Sequence, residues 1–230
     1  MIRLDHLTKT YGRARGVADL TLRVPEGSCF GFIGPNGAGK STTIRTLLGL
    51  LSPTGGSAKV LGLDCARERR KILAQVGYMP SEAMFYPDMR AGEVIRLSAN
   101  LRGQDCGREA AALCEALELD KRKRVRELSL GNRKKVSIVC AMQHRPKLYI
   151  LDEPTSGLDP LVQRAFWAEL EARRREGATV FLSSHVLYEV HRYCDRAAII
   201  REGRLVVEGT TAELDIENKF FDYYEGRAGQ

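Results

Sequence analysis

Gly34-Pro35-Asn36-Gly37-Ala38-Gly39-Lys40-Ser41-Thr42 (GPNGAGKST) is the stretch that decides how this 230-residue chain is read. It fits the pattern G-x-x-x-x-G-K-[ST], follows the β-type run Cys29–Ile33 and opens the helix-type run Ser41–Leu50. The residue types have physical reasons. Glycines let the backbone turn its N–H groups inward with no side chain in the way, and a helix N-terminus behind them favours an anion. Lys40 puts a cation against the β and γ phosphates of a nucleotide, and the Ser41 hydroxyl suits Mg2+. The plain alternative is a Gly-rich turn with no ligand. The strand before the loop and the helix after it favour the phosphate site.

The rest of the chain alternates strand and helix. Short β-rich runs at Ile2–Leu7 and Leu20–Val24 precede the loop, and Ala58–Leu61 and Val76–Met79 follow its helix. From Arg90 to about Gln143 the apolar positions (Val94, Leu97, Leu101, Leu113, Leu117, Val136, Val139, Met142) give a mostly helical reading. Then come a buried-type strand at Leu148–Leu151, a helix at Pro160–Glu176 with proline in its first turn, a strand at Thr179–Ser183, a helix at Val186–Cys194 and a strand at Arg196–Arg201. Arg204–Val207 pairs with the last strand through Glu202-Gly203, and Thr210 with Glu213 has capping-box spacing. This alternation predicts an α/β fold with a mainly parallel sheet flanked by helices. The helical middle reads as an insertion. The expected organisation is a single domain, 1–230, with a core lobe over about 1–85 and 145–212, a helical lobe over about 86–144 and a short tail, 213–230. In the tail, Phe220, Phe221, Tyr223 and Tyr224 are available to pack on the domain or on a neighbour.

Composition bounds the partners. Hydrophobic residues at 43% and charged residues at 28% allow a sizeable core. The net charge of +7 suits nucleotide, nucleic acid or a membrane surface and selects none of them. The basic runs Lys121–Arg126, Arg133–Lys135 and Arg173–Arg175 are expected to be solvated helix faces and loops rather than a binding patch. Six scattered cysteines without a Cys-x-x-Cys pair read as reduced thiols. The N-terminus has no apolar signal core, and no apolar run nears the roughly 18 residues needed to span a bilayer. A membrane role therefore requires another chain to supply the span.

A second chemical cluster lies downstream. Leu148-Tyr149-Ile150-Leu151-Asp152-Glu153 is an apolar strand ending in two acids. Ligands of open α/β sheets sit at such carboxyl ends. Asp152 is the expected Mg2+ ligand, direct or through water, and Glu153 the group that polarises an attacking water, a role worth roughly 10²–10⁴-fold in rate. An ordinary acidic turn is the alternative; the phosphate loop in the same chain argues against it.

With these motifs in this order the chain resembles the nucleotide-binding domain of an ABC transporter, from Leu7 to about Gly209. The resemblance implies a P-loop NTPase core with an N-terminal antiparallel β subdomain and a helical insertion, binding ATP and Mg2+. It implies that Tyr11 stacks on adenine. It likens Leu128-Ser129-Leu130-Gly131-Asn132 to the signature motif, whose Ser129 and Gly131 would contact the γ-phosphate held by another subunit. It likens Ser156-Gly157-Leu158-Asp159 to the loop that crosses the dimer interface, and His185 to the switch histidine at the γ-phosphate. His6, His144 and His191 lack such context.

Two stretches depart from the family pattern. Leu130 and Asn132 replace a glycine and a glutamine of the signature, and Ser81 stands where a glutamine is usual, with Glu82 beside it. Ser81 or Glu82 must therefore supply the metal contact of that glutamine. PSE…YPDM with an LSxGN signature resembles the drug- and antibiotic-export branch, the bacitracin-exporter type. The expected function is an ATPase subunit, homodimeric or heterodimeric with a second ATPase subunit, held peripherally on the cytoplasmic face of the cell membrane by an integral membrane permease, with no direct nucleic-acid partner. The loop Ser81–Met89, with Phe85 and Tyr86 as exposed-type aromatics, is the expected docking point. The alternatives are a nucleic-acid-linked ATPase of repair or translation and a non-catalytic nucleotide-binding regulator. Against the first, repair members carry a long coiled-coil insertion and translation members two ATPase domains, and neither feature is read in this sequence; intact Lys40 and Glu153 argue against the second.

Overall fold

A computed structural model describes residues 1–12 and 14–214 of the chain. In chain order the elements are β1 (Ile2–Tyr11), β2 (Ala14–Val24), β3 (Cys29–Ile33), α1 (Lys40–Leu47), β4 (Gly55–Val60), β5 (Leu63–Asp64), α2 (Arg69–Gln75), β6 (Val76–Met79), α3 (Ala91–Asn100), α4 (Gly107–Ala116), α5 (Leu130–Met142), β7 (Leu148–Asp152), α6 (Pro160–Arg175), β8 (Thr179–Ser184), α7 (Leu187–Tyr193), β9 (Arg196–Arg201) and β10 (Arg204–Thr210). A 3₁₀ turn, Val125–Glu127, precedes α5. Two compact units form, one from Met1–Leu73 with the segment beginning at Thr179, the other from Ala74–Ala178.

The first unit holds an antiparallel sheet in the order β2-β1-β4-β5 and the strands β10-β9-β3-β8. In the latter group β3 runs parallel to both β8 and β9, and only β10 is antiparallel. Every residue of β3 (CFGFI) and β8 (TVFLSS) is buried, the signature of parallel strands covered on both faces. Phe30 and Phe32 pack on Phe181 with ring centroids 6.0 and 5.4 Å apart. A Cβ on Gly31 would lie 2.4 Å from Val190 Cγ1, so α7 seats on β3 at a residue that only glycine can fill.

The second unit pairs β6 parallel to β7 and adds α3–α6. Asp159 caps α6, accepting from the Leu161 and Val162 amides at 3.1 and 3.0 Å, and Pro160 occupies its first turn. The basic runs depart from expectation here. Lys134, Lys135 and Arg173 are buried. Arg173 reaches Glu109 of α4, which also pairs with Arg145 at 3.2 Å. A cation on a helix face that packs against neighbours is kept inside when it finds a partner there, and a charge run in sequence does not show this.

Element ends differ from the sequence reading where pairing, not apolar pattern, sets them. β1 and β2 extend as far as Tyr11↔Ala14, through polar residues such as Lys9 and Thr10 that pair across the ladder. The helix α2 (RRKILAQ) and the two-residue β5 went unread, since α2 buries only Ile72. Thr210 and Glu213 exchange the capping-box bonds at 3.2 and 3.3 Å. The four aromatic residues of the tail lie outside the described residues.

His144 follows α5 and gives the second unit a pH dependence. Its burial, and next the Arg102 guanidinium, push the imidazole pKa down from 6.5 to about 4. Between those values the unfolded chain binds a proton that the folded chain refuses. The stabilisation is therefore full above about pH 6.5 and is lost as pH falls toward 4. Urea unfolding followed across pH 4–7 should show a shallower acid loss for His144→Gln than for the parent chain; equal slopes would contradict this origin.

Candidate functional site: a phosphate loop and a buried carboxylate strand

The phosphate loop leaves the carboxyl end of β3 and enters α1 within the first unit. Its conformation is imposed by backbone crowding. A Cβ on Gly34 would sit 2.6 Å from the Ile200 carbonyl, and one on Gly39 would sit 2.7 Å from the Gly16 carbonyl. Gly39 also has φ +107°, a region closed to side-chain-bearing residues. The β9–β10 turn clamps the loop from outside, with Gly203 N–H donating to Ala38 O at 2.9 Å and Ala18 N–H to Gly203 O at 2.8 Å. Pro35 accepts from the Ala38 amide at 3.2 Å, and Asn36 and Gly37 form the exposed tip.

The donor set fits a phosphate. Helix α1 starts at Gly39 with no side-chain cap and no acidic residue in its first turn, so no carboxylate of that turn offsets its positive N-terminal end. Lys40 is buried, with Nζ 2.6 Å from Gly34 O and 3.1 Å from Pro35 O, which holds the ammonium along the loop. Ser41 and Thr42 follow, half-buried, and Thr43 locks the first turn through Oγ1 to Gly39 O at 3.0 Å. Tyr11 stands beside this loop. A Cβ on Gly16 would meet its ring at 2.8 Å and Thr42 Cγ2 at 3.2 Å, so ring and loop share one glycine. The register Ile33↔Ser184 places His185, exposed just after β8, at the same strand edge as Gly34.

The second unit supplies the acids. Asp152, 4% exposed, ends the fully buried strand β7. Glu153 follows with φ +49°, a left-handed conformation uncommon for a residue with a side chain. The pairing Met79↔Leu151 makes β6 and β7 end together, so exposed Ser81 and Glu82 leave the sheet edge beside the acids. Ser129 is the N-cap of α5, its Oγ accepting the Asn132 amide at 3.3 Å, and α5 likewise has no acid in its first turn. Gly131 is required there, since a Cβ would stand 2.9 Å from Gly157 O. Leu130 is 66% exposed. The Asp159 carboxylate belongs to the α6 cap described above. In the Ser81–Met89 loop the exposed apolar side chains are Met84 and Tyr86, whereas Phe85 is half-buried and does not extend as the sequence suggested.

Gly16 and Lys134 escaped the sequence reading, the glycine because it carries no motif and the lysine because it sat in a run read as solvated, and Gly203 was read only as part of a hairpin turn. The Lys134 ammonium donates to the Glu153 carbonyl at 2.6 Å.

A strand–GPNGAGKST–helix loop of this geometry defines a nucleotide-binding P-loop protein. The chain belongs to the ABC transporter family, whose sequence model matches residues 17–156. It is 34% identical over 223 residues to the probable multidrug ABC transporter ATP-binding protein YbhF of Escherichia coli K12, covering 95% of this chain and 38% of that protein. It is 36% identical to the bacitracin transport ATP-binding protein BcrA of Bacillus licheniformis, covering 90% of this chain and 69% of that one. The chain thus spans well under half of the first relative's length. A solved ATP-binding subunit of an ABC transporter superposes with a TM-score of 0.87 at 32% identity, covering 100% of this chain and 95% of that chain. A dimeric ATP-binding cassette in a post-hydrolysis state with ADP and Pi matches at TM-score 0.84 and 22% identity over 92% of this chain and 99% of that chain, which speaks to the fold alone. The α/β P-loop fold is therefore the family's own, as read from the sequence.

Gly39→Ala brings both a strained φ and a 2.7 Å contact to the Gly16 carbonyl. It should weaken ATP binding at least about tenfold in calorimetric titration, with the far-ultraviolet circular dichroism unchanged. Parent-like affinity would show that the loop tolerates a side chain there.

Proposed function

We propose that this chain hydrolyses ATP as the cytoplasmic subunit of an exporter. It pairs with a second ATPase subunit, as homodimer or heterodimer, and is held on the inner face of the membrane by a permease subunit. The observation that carries this reading is a pair of unlike helix N-termini. The start of α1 is wrapped by a glycine loop and the start of α5 presents Ser129 and Gly131; neither has an acidic residue in its first turn. The chain has one copy of each. In a two-fold pair each nucleotide would meet one of each kind, the second from the partner.

The residues then have the following roles. Lys40 and the loop amides neutralise and orient the phosphates. Tyr11 supports the adenine. Ser41 and Asp152, hard oxygen donors, would hold Mg2+, which when bound supplies charge neutralisation at the phosphate oxygens, with Ser81 or Glu82 as a further contact. Glu153 takes proton density from the attacking water, and His185 donates toward the γ-phosphate. Ser129, Gly131 and Asn132 act on the partner's nucleotide, where a well-placed donor is worth about 10²–10³ in rate. Asp159 caps the helix behind the loop that would cross the interface. The core lobe, about 1–85 with 145–212, would carry the nucleotide, and the helical lobe, about 86–144, would pass closure to the permease.

Drug or antibiotic transport is supported by the names of the multidrug and bacitracin relatives, and export by that of the Nod factor export ATP-binding protein I of Paraburkholderia xenovorans, 35% identical to this chain. A separate membrane-spanning subunit is supported by the helices, since among the described residues none is long and apolar enough to cross a bilayer. Docking through the Ser81–Met89 loop is supported by Met84, 95% exposed, and Tyr86.

Glu153→Gln should lower turnover by at least about 100-fold and accumulate an ATP-bound dimer. Size-exclusion chromatography with ATP and Mg2+ checks this, and a strictly monomeric variant would exclude self-pairing. A photo-crosslinker at position 86 should capture a membrane protein in native membranes. Capture only of soluble protein would remove this loop as the docking point.

A further inference from the structure

We infer that Lys134 is a positioning residue for hydrolysis. It holds the backbone of Glu153 in the conformation that aims the carboxylate, and through α5 it ties that carboxylate to the signature segment serving the partner's nucleotide. This inference rests on the reading of Glu153 as the group that polarises water.

The argument begins with an expensive arrangement. Lys134 is 6% exposed, and a buried ammonium loses its hydration. It is retained with Nζ 2.6 Å from the backbone oxygen of Glu153, a short bond from a charged donor. A long apolar side chain would fill the same volume without the desolvation cost. The acceptor is also distinctive. Glu153 follows the buried strand β7 directly and has φ +49°. A left-handed glutamate is disfavoured by its own Cβ and persists when its surroundings hold it there. Binding the carbonyl of that residue fixes the peptide plane on the carboxyl side of its Cα. The direction of the side chain depends on that plane.

The same helix touches the same segment at a second point. Gly131, one turn before Lys134, lies so close to the Gly157 carbonyl that a Cβ would be 2.9 Å from it. Leu130 packs over Gly157 from the same side, 3.7 Å from where its Cβ would be. The first turns of α5 are therefore joined to residues 153–157 at both ends of that stretch. A displacement of Ser129–Gly131 when a partner's phosphate engages them is carried over one helical turn to Lys134, and from there to the Glu153 backbone. The element that completes the neighbouring site thus also sets the chain's own catalytic carboxylate.

Steady-state ATPase measurements on the purified chain test this with four variants. Glu153→Gln first checks the underlying reading. If it keeps parent-like turnover, Glu153 is not the catalytic group and the proposal falls with it. With Glu153→Gln inactive, Lys134→Met should lower kcat about 10- to 100-fold. KM for MgATP and the affinity for ATP should stay within about twofold, and the thermal midpoint should stay near that of the parent chain. Lys134→Arg, which keeps a charged donor, should recover most of the rate, and Lys134→Gln should fall between. If Lys134→Met does not fold, the Gln and Arg variants give the same comparison. A kcat within twofold of the parent for Lys134→Met, or for Lys134→Gln where Met does not fold, overturns the proposal. So does a loss confined to KM, ATP affinity or stability, because packing alone would produce that.

Discussion

The structure depends first on a contact in which side chains take no part. Gly39 and Gly203 both press against the carbonyl of Gly16, at distances where added Cβ atoms would lie 2.7 and 2.8 Å from that oxygen. Three segments far apart in sequence thereby meet backbone to backbone: the end of the phosphate loop, the β9–β10 turn and the start of β2. The crowding sets the loop's shape, and the Gly203–Ala38 and Ala18–Gly203 hydrogen bonds hold it from outside. A loop that offers amides to an anion must keep them pointing inward against their own repulsion, and this clamp supplies the restraint. The position of Tyr11 follows from the same contact, since its ring occupies the space that any side chain on Gly16 would take.

In the other unit the organising element is a buried strand that ends in acid. β7 keeps five consecutive residues out of water and delivers Asp152 and Glu153 at its edge. Acids at such a point need control of both charge and direction. One cation that reaches Glu153 is Lys134, whose ammonium donates to the backbone carbonyl of that residue. Arg173 plays a different part, joining α6 to α4 through Glu109. Both lie in runs of basic residues that look alike in sequence. One anchors a candidate catalytic residue and the other a helix pair, while their neighbours Arg133 and Arg175 face solvent.

Much of the fold was legible in the chain. β3, β6 and β9 were read with their observed ends, and β7 and β8 to within a residue, because fully covered parallel strands are continuous apolar runs bounded by turns. The phosphate loop, the acid pair and the serine at the start of α5 were also legible, each a contiguous pattern whose chemistry is local. The outer halves of β1 and β2 were not, because polar residues there, such as Lys9 and Thr10, are strand only through their ladder partners Val17 and Arg15. α2 was not, because one buried isoleucine in seven residues leaves no periodic signal.

By itself, then, the sequence determined that this chain has a phosphate loop between a strand and a helix, a strand ending in two acids, and the order of motifs found in ABC transporters. Tertiary structure alone decided that Gly16 and Gly203 shape the loop, that Phe85 is drawn in while Met84 and Tyr86 stay out, and that Lys134 turns inward onto Glu153. The physical reason is the range of the interactions. Strand patterning, helix starts and glycine-rich turns depend on neighbours within a few residues. The role of a glycine or a buried cation depends on which distant backbone arrives beside it.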